Sequence, residues 1–178
     1  MAIPAEIYEL CRSVPWPPEE PSVEPASVKE ISNAETRLGF TFPLEFREFL
    51  GYLNGPCIGP GGIFGVKPQR SNLDIELNLE SFPDWKIKQW IPVAGDGCGN
   101  YYVLVPGSSS RAVGFVEAVS SPEEIQYLVA SGFWKFLIFL LRREIGEKGW
   151  PFNEQFVISK DPAILKVDVA PLPWEPSQ

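Results

Sequence analysis

"WIPVAGDGCGNYYVLV", residues 90–105, places three glycines, an acid, a thiol and an amide between two apolar runs. Whether that insert grips a ligand or only turns the chain decides the fold. A phosphate loop would need a Lys and a Ser or Thr opening a helix after the glycines. Here the next segment, "YYVLV", has the composition of a strand. A dinucleotide fingerprint fails for the same reason, because its pyrophosphate rests on a helix N-terminus. A calcium loop beginning at Asp96 would carry an acid at its twelfth position, which is Gly107. Cys98 as a nucleophile would need a neighbouring base, and the chain contains no histidine. Glycine and asparagine tolerate positive φ, and aspartate accepts bonds from nearby amides. The stretch therefore predicts two antiparallel strands joined by a hairpin connection.

The same period-two patterning extends in both directions. "GGIFGV" predicts a short strand, and "LDIEL" alternates Leu73, Ile75 and Leu77 against acids. "VGFVEAV" follows the hairpin as a further strand. "SSPEEIQYLVA" predicts one helical turn, with Glu123 and Glu124 as its N-terminal charge, and then an extended stretch. A second glycine-rich piece, "GPCIGPGGIFG", lacks the Lys and Ser/Thr of a phosphate loop and predicts a loop that could wall a groove.

Upstream the period is 3.6. In "SVKEISNAETRLG", Ser27 and Glu30 form a capping box, Val28, Ile31, Ala34, Glu35 and Leu38 share a face, and Gly39 stops the helix. In "FPLEFREFLGYLNG", Pro43 suits the first helical position, and Phe46, Phe49, Leu50 and Leu53 form the buried stripe before Gly55-Pro56. Downstream, "SGFWKFLIFLLRREIG" is apolar nearly all the way round and predicts a deeply buried helix, capped by Ser131 and ended by Gly146. Arg142 and Arg143 fall in its last turn, where cations suit the helix dipole.

Beyond this body lie two extensions. "PAEIYELCRS" predicts a short helix with Ile7, Leu10 and Cys11 on one stripe. "VPWPPEEPSVEP" has five prolines and predicts an extended arm on which Trp16 docks back. After residue 149 come one predicted strand, Phe156 to Ile158, and a proline-rich close. The expected organisation is an N-terminal helix and arm (1–26), a main domain (27–149) and a C-terminal extension (150–178). The expected fold class is α+β: an N-terminal helix pair, a central, mostly antiparallel sheet and a buried C-terminal helix.

Composition narrows function. Among 178 residues, 44% are hydrophobic and 13% aromatic, enough for a packed core. The formal net charge of -8, from 23 acids and 15 bases, leaves no surplus of cations for phosphates, so no direct nucleic-acid partner is expected. Without histidine, Ser-His-Asp and Cys-His chemistry and His-ligated zinc are excluded. Cys11, Cys57 and Cys98 are scattered, which fits no structural zinc and suits a reducing cytosol. "MAIPAEIYEL" lacks a leader's basic and apolar regions, and no run reaches membrane-spanning length, so a cytoplasmic protein with no membrane association is expected. No catalytic residue, cofactor or metal ligand is assigned. A carboxylate-dependent hydrolase is the one enzymatic alternative. "DIELNLESFPD" predicts a solvated strand face, and Asp74, Glu76 and Glu80 could cluster with Asp96 into an acidic docking patch. Trp90, Asn100 and Tyr101 would stand at the strand edge beside it.

Three segments together resemble the SUKH superfamily, which includes fungal glucan-synthesis regulators and bacterial immunity proteins. "ISNAETRLGFTFPLEFREFLGYLNG", residues 31–55, is similar to the family's opening helices, with Gly39, Pro43, Phe49, Leu50, Asn54 and Gly55 at signature places. "WIPVAGDGCGNYYVLV" resembles its central strand-turn-strand through Trp90, Pro92, Asp96, Gly97, Gly99 and Asn100. "ASGFWKFLIFLL" resembles its closing element through Ser131, Phe133, Phe136 and Leu137. Pro56 stands where the family usually has a second glycine. The likeness spans about residues 27–146 and implies an α+β fold and a non-catalytic, protein-binding role. It implies either an immunity-type protein that occludes a toxin, often a nuclease and hence basic, or a regulatory scaffold of the glucan-synthesis type.

Overall fold

The computed structural model describes residues 2–17, 23–107 and 111–175. Helices α1 (Ala5–Ser13), α2 (Val28–Leu38) and α3 (Leu44–Leu50) come first, followed by a 3₁₀ turn at Ser71–Leu73 and short helices α4 (Ile75–Ser81) and α5 (Pro83–Lys88). The strands are β1 (Ile91–Gly95), β2 (Tyr101–Val105), β3 (Ala112–Val116) and β4 (Tyr127–Ala130). Helices α6 (Phe133–Glu144) and α7 (Glu154–Lys160) and a 3₁₀ segment at Pro162–Lys166 close the chain. The four strands pair antiparallel in the order β1-β2-β3-β4. The fold class is α+β, as the sequence predicts.

Strand alternation sends successive side chains to opposite faces, and the rings show which helices cover each. Tyr102 meets Phe136 of α6 and pairs across the sheet with Phe115, which stacks on Tyr127. Its neighbour Tyr101 meets Trp85 of α5 on the other side. The sheet is thus sandwiched between α6 and the α4–α5 layer. Helix α6 buries Phe133, Trp134, Phe136, Leu137, Phe139, Leu140 and Leu141, and Phe46 and Phe49 of α3 pack edge-on against Phe133.

Both flanks join this core. Ile7, Leu10, Cys11 and Val14 on the N-terminal side and Trp150, Val157, Ile164 and Leu172 on the C-terminal side belong to one buried cluster with the sheet. Arg142 of α6 fixes α1 in place through Glu6 Oε1, at 2.6 Å from Nη2 and 3.0 Å from Nε. Trp16 docks as expected, its indole donating to the Cys11 carbonyl at 2.9 Å. The part of the proline-rich arm at 18–22 lies outside the described residues.

Several local expectations are corrected. "LDIEL" is no strand: Asp74 caps α4 by accepting from the amides of Glu76 and Leu77, Ile75 and Leu79 turn inward at helical spacing, and Leu77 is left 48% exposed. "GGIFGV" makes only two isolated bridges, Ile63 to Ala94 and Gly65 to Asp74. The predicted strand at Phe156 to Ile158 is part of α7, whose N-cap Asn153 accepts from the Phe156 amide. Glu123 and Glu124 open no helix and lie in turns before β4. Pro43 stands just before α3, at its N-cap. Val28 opens α2 on the solvent side, 74% exposed.

The cap of α6 is also reassigned. Its N-cap is Gly132, and Ser131 turns away, its amide and hydroxyl both donating to the buried Asp161 at 2.7 and 2.6 Å. Glu45 of α3 takes over, its carboxylate accepting from the Phe133 and Trp134 amides at the start of α6. The apolar face of α2 has its one acid explained as well. Glu35 is buried and accepts from the Phe42 amide at 2.7 Å, with Arg47 at 3.7 Å.

Candidate functional site

The 96–100 segment joins β1 to β2, with Gly95 opposite Tyr101. Asp96 builds it from within. Its Oδ1 accepts from the amides of Cys98 and Asn100 at 2.7 and 3.0 Å, and its Oδ2 accepts from the Asn100 side chain at 2.8 Å. Gly97 and Gly99 take φ of 81° and 93°, the left-handed region that glycine enters without strain. The second glycine-rich piece packs directly against it. A Cβ on Gly97 would stand 2.7 Å from the Pro60 carbonyl oxygen, and one on Gly61 would overlap the backbone of Gly95. The two loops are glycine-rich because each lets the other's backbone come close.

Beneath the neighbouring surface lies an aromatic cluster. Tyr101 sits 5.3 to 5.7 Å from the rings of Trp85, Phe82 and Phe64, and Phe82 stacks on Trp85 at 4.2 Å. The Tyr101 hydroxyl donates to Asn78 Oδ1 at 2.9 Å, tying β2 to α4, and partial burial raises its pKa. Trp90 is buried, with the Lys88 ammonium 4.5 Å from its ring centroid. The Trp85 indole donates to the Pro122 carbonyl at 2.5 Å and Lys88 to the Glu123 carbonyl at 2.6 Å. These bonds draw residues 117–124 against α5. Val119 reaches the hairpin tip, 3.4 Å from where a Gly99 Cβ would stand.

The candidate site residues therefore divide by what they already do. Asp74 is buried and used as a cap. Glu76 forms a two-point bond with Arg37, at 2.6 and 2.7 Å. Asp96 and Asn100 hold the turn, and Trp90 and Tyr101 support the layer. Glu80 alone of the group is an exposed carboxylate with no hydrogen bond or ion pair among the described residues. Asp84, Glu123 and Glu124 share that condition on the adjoining elements. On the same elements Ile87 and Val119 are each 81% exposed. Sequence reading took in Asp84 as the last acid of "DIELNLESFPD" but missed Ile87 and Val119. The signal was Ile87 two residues after Trp85, which a one-and-a-half-turn helix cannot bury on the same side.

The α4–α5 layer and residues 117–124 thus carry both exposed aliphatic side chains and acids with no hydrogen bond or ion pair among the described residues. Among the described residues no group of three or more Cys, Asp or Glu is placed to hold a metal ion, and no helix is long and apolar enough to cross a membrane.

The family model described as SMI1/KNR4 (SUKH-1) matches residues 25–138. The chain belongs to the SMI1/KNR4 family. The match begins just before the Ser27 cap of α2 and ends inside α6, so it takes in the sheet, the α4–α5 layer and the hairpin. No curated protein matches the chain. Family membership at this level points to protein–protein interaction, and it leaves immunity and regulatory roles undivided.

Proposed function

We propose that this SMI1/KNR4-family chain is a non-enzymatic, immunity-type module. Its α4–α5 layer and residues 117–124 would cover a basic face of a toxin, such as a nuclease domain. What supports the reading is that two highly exposed aliphatic residues, Ile87 and Val119, and the unpaired carboxylates of Glu80, Asp84, Glu123 and Glu124 lie on elements bonded to one another through Trp85 and Lys88. Anchors in a desolvated centre with a charged rim are the usual anatomy of a protein interface. A net charge of -8 adds long-range attraction toward a cationic partner. Occlusion would be steric and electrostatic, with no bond made or broken. The sequence's partner candidates enter through Glu80, while Asp74, Glu76, Trp90, Asp96, Asn100 and Tyr101 shape the elements that present it.

The test is protection. Cells producing the toxin encoded beside this gene should survive when the chain is co-produced, and Ile87→Asp with Val119→Asp should abolish survival while the protein stays folded. Survival unchanged by that pair would overturn the assigned surface. Absence of any neighbouring toxin would favour the second reading, a regulatory scaffold of the glucan-synthesis type, which the family match accommodates equally.

A further inference from the structure

Both flanks of the chain meet α6 at a small hollow. A cavity of about 150 Å³ opens between α1, α6 and α7, lined by Glu6, Lys135, Ile138, Phe139, Arg142 and Lys160. Glu6 belongs to α1 and Lys160 is the last residue of α7, so the hollow exists because both flanks fold onto α6. Its charge runs against that of the whole chain. The net charge is -8, yet three cations and one acid line this cavity. Nearby carboxylates answer two of the cations. Glu6 Oε1 takes Arg142 at 2.6 Å, and Glu147 Oε1 is shared by Arg142 and Lys160 at 3.3 and 3.4 Å. Lys135 is exposed and has no carboxylate partner among the described residues; its ammonium donates to the Lys160 carbonyl at 2.7 Å. Three cations against two carboxylates leave one positive charge in excess. An ammonium has three N–H groups, so that single bond positions Lys135 without saturating it. Beside the cations, the buried Phe139 and the partly buried Ile138 supply an apolar wall.

We propose that this hollow binds a small oxyanion, a phosphate or a carboxylate, attached to a short apolar group. The Lys135 and Lys160 ammonium groups take the oxyanion, and Ile138 and Phe139 take the apolar part. Side chains already held by bonds to their neighbours lose less freedom on binding, which favours Lys135, Lys160 and Arg142 as a recognition set. The volume is below the roughly 300–1,000 Å³ of drug-sized sites, so the occupant carries few atoms beyond the oxyanion. Once bound, it links α6 to α7. The hollow lies across the sheet from the α4–α5 layer and does not depend on the function proposed for that surface.

The test titrates the full chain with phenyl phosphate, benzoate, inorganic phosphate and uncharged benzyl alcohol, followed by amide NMR shifts. Phenyl phosphate, benzoate or both should bind with a Kd of about 1 mM or tighter, with shifts centred on residues 135–142 and 160. Whichever of the two binds more tightly identifies the oxyanion. Inorganic phosphate should bind several-fold more weakly than phenyl phosphate, and benzyl alcohol should leave these residues unmoved. Lys135→Gln with Lys160→Gln should weaken binding at least tenfold, and the exposed Lys135→Gln alone should weaken it about threefold, whereas Lys135→Arg should retain it. Three results would each overturn the proposal: no shift at these residues with either organic anion, equal binding by benzyl alcohol, or undiminished binding by the lysine variants. Equal binding by inorganic and phenyl phosphate would overturn the role given to Ile138 and Phe139.

Discussion

Gly114 on β3 faces Ile125, and a Cβ there would come within 2.5 Å of the Ile125 Cγ2 and 3.3 Å of the Val105 Cγ2. The sheet has no room for a methyl group at that point. Gly114→Ala should cost roughly 1–3 kcal/mol by overpacking, seen as a lower urea midpoint with an unchanged slope. Ile125→Ala should be less harmful in the Gly114→Ala background than alone, because truncating Ile125 makes room for the added methyl, which fills part of the space left. Additive losses would show that the two residues are not in contact. Asp96 makes a second residue-scale claim. Asp96→Ala strands the Cys98 and Asn100 amides and should cost on the order of 1–3 kcal/mol, whereas Asp96→Asn keeps an acceptor and should cost less. Equal losses for both would mean that the charge, and not the hydrogen-bond geometry, holds the turn.

At the scale of elements, the joint between α3 and α6 titrates. Burial raises the Glu45 pKa above the usual carboxylate range, against the lowering effect of the Trp134 and Phe133 amides. A raised folded-state pKa means that the native state binds the proton more tightly than the unfolded chain does. The stability from this group is therefore complete below the ordinary glutamate range and lost as pH rises through the folded value. Glu45→Gln lacks that loss, so wild type should weaken relative to it as pH rises through carboxyl titration. A gap that widens toward low pH would reverse the sign and refute the assignment. The α1–α6 joint has an alkaline counterpart. Burial pushes the Cys11 thiol up to about 11, so stability should fall as pH rises from 9 toward 11. In native protein, iodoacetamide should label the exposed Cys98 and spare the buried Cys11 until unfolding. Prompt labelling of Cys11 would contradict its burial.

These elements also show what sequence could reveal. The hairpin, the capping box and the buried α6 were readable because their signals are local: glycines between strand runs, Ser27 with Glu30, and an apolar belt. The α4 helix was hidden because Leu73, Ile75 and Leu77 alternate like a strand, and only the Asp74 cap and the Leu79 position favour a helix. Ser131 resembled a cap because sequence cannot show that Asp161, thirty residues on, claims its hydroxyl. The site was less legible than the fold. Most acids singled out by pattern are already spent on caps, pairs and turns, and exposure is decided by tertiary neighbours that pattern does not report.

At the scale of the whole molecule, one sheet is held between α6 and the α4–α5 layer, and both terminal flanks join its core. The hairpin packs against the loop at 59–62, and residues 117–124 of the proposed partner surface are tied to α5 through Trp85 and Lys88. Acidity then acts on the rate of encounter more than on the fit. Reversing Glu80, Asp84, Glu123 and Glu124 to lysine should slow association roughly 10- to 1000-fold at low salt and much less at high salt. Dissociation should change little, since these carboxylates belong to the rim. The most direct measurement is the association rate of the toxin encoded beside this gene across a salt series, for wild type and the fourfold reversal. The account predicts a steep fall with salt for wild type and a shallow or inverted dependence for the reversal. Two superimposable, salt-independent rates would contradict it.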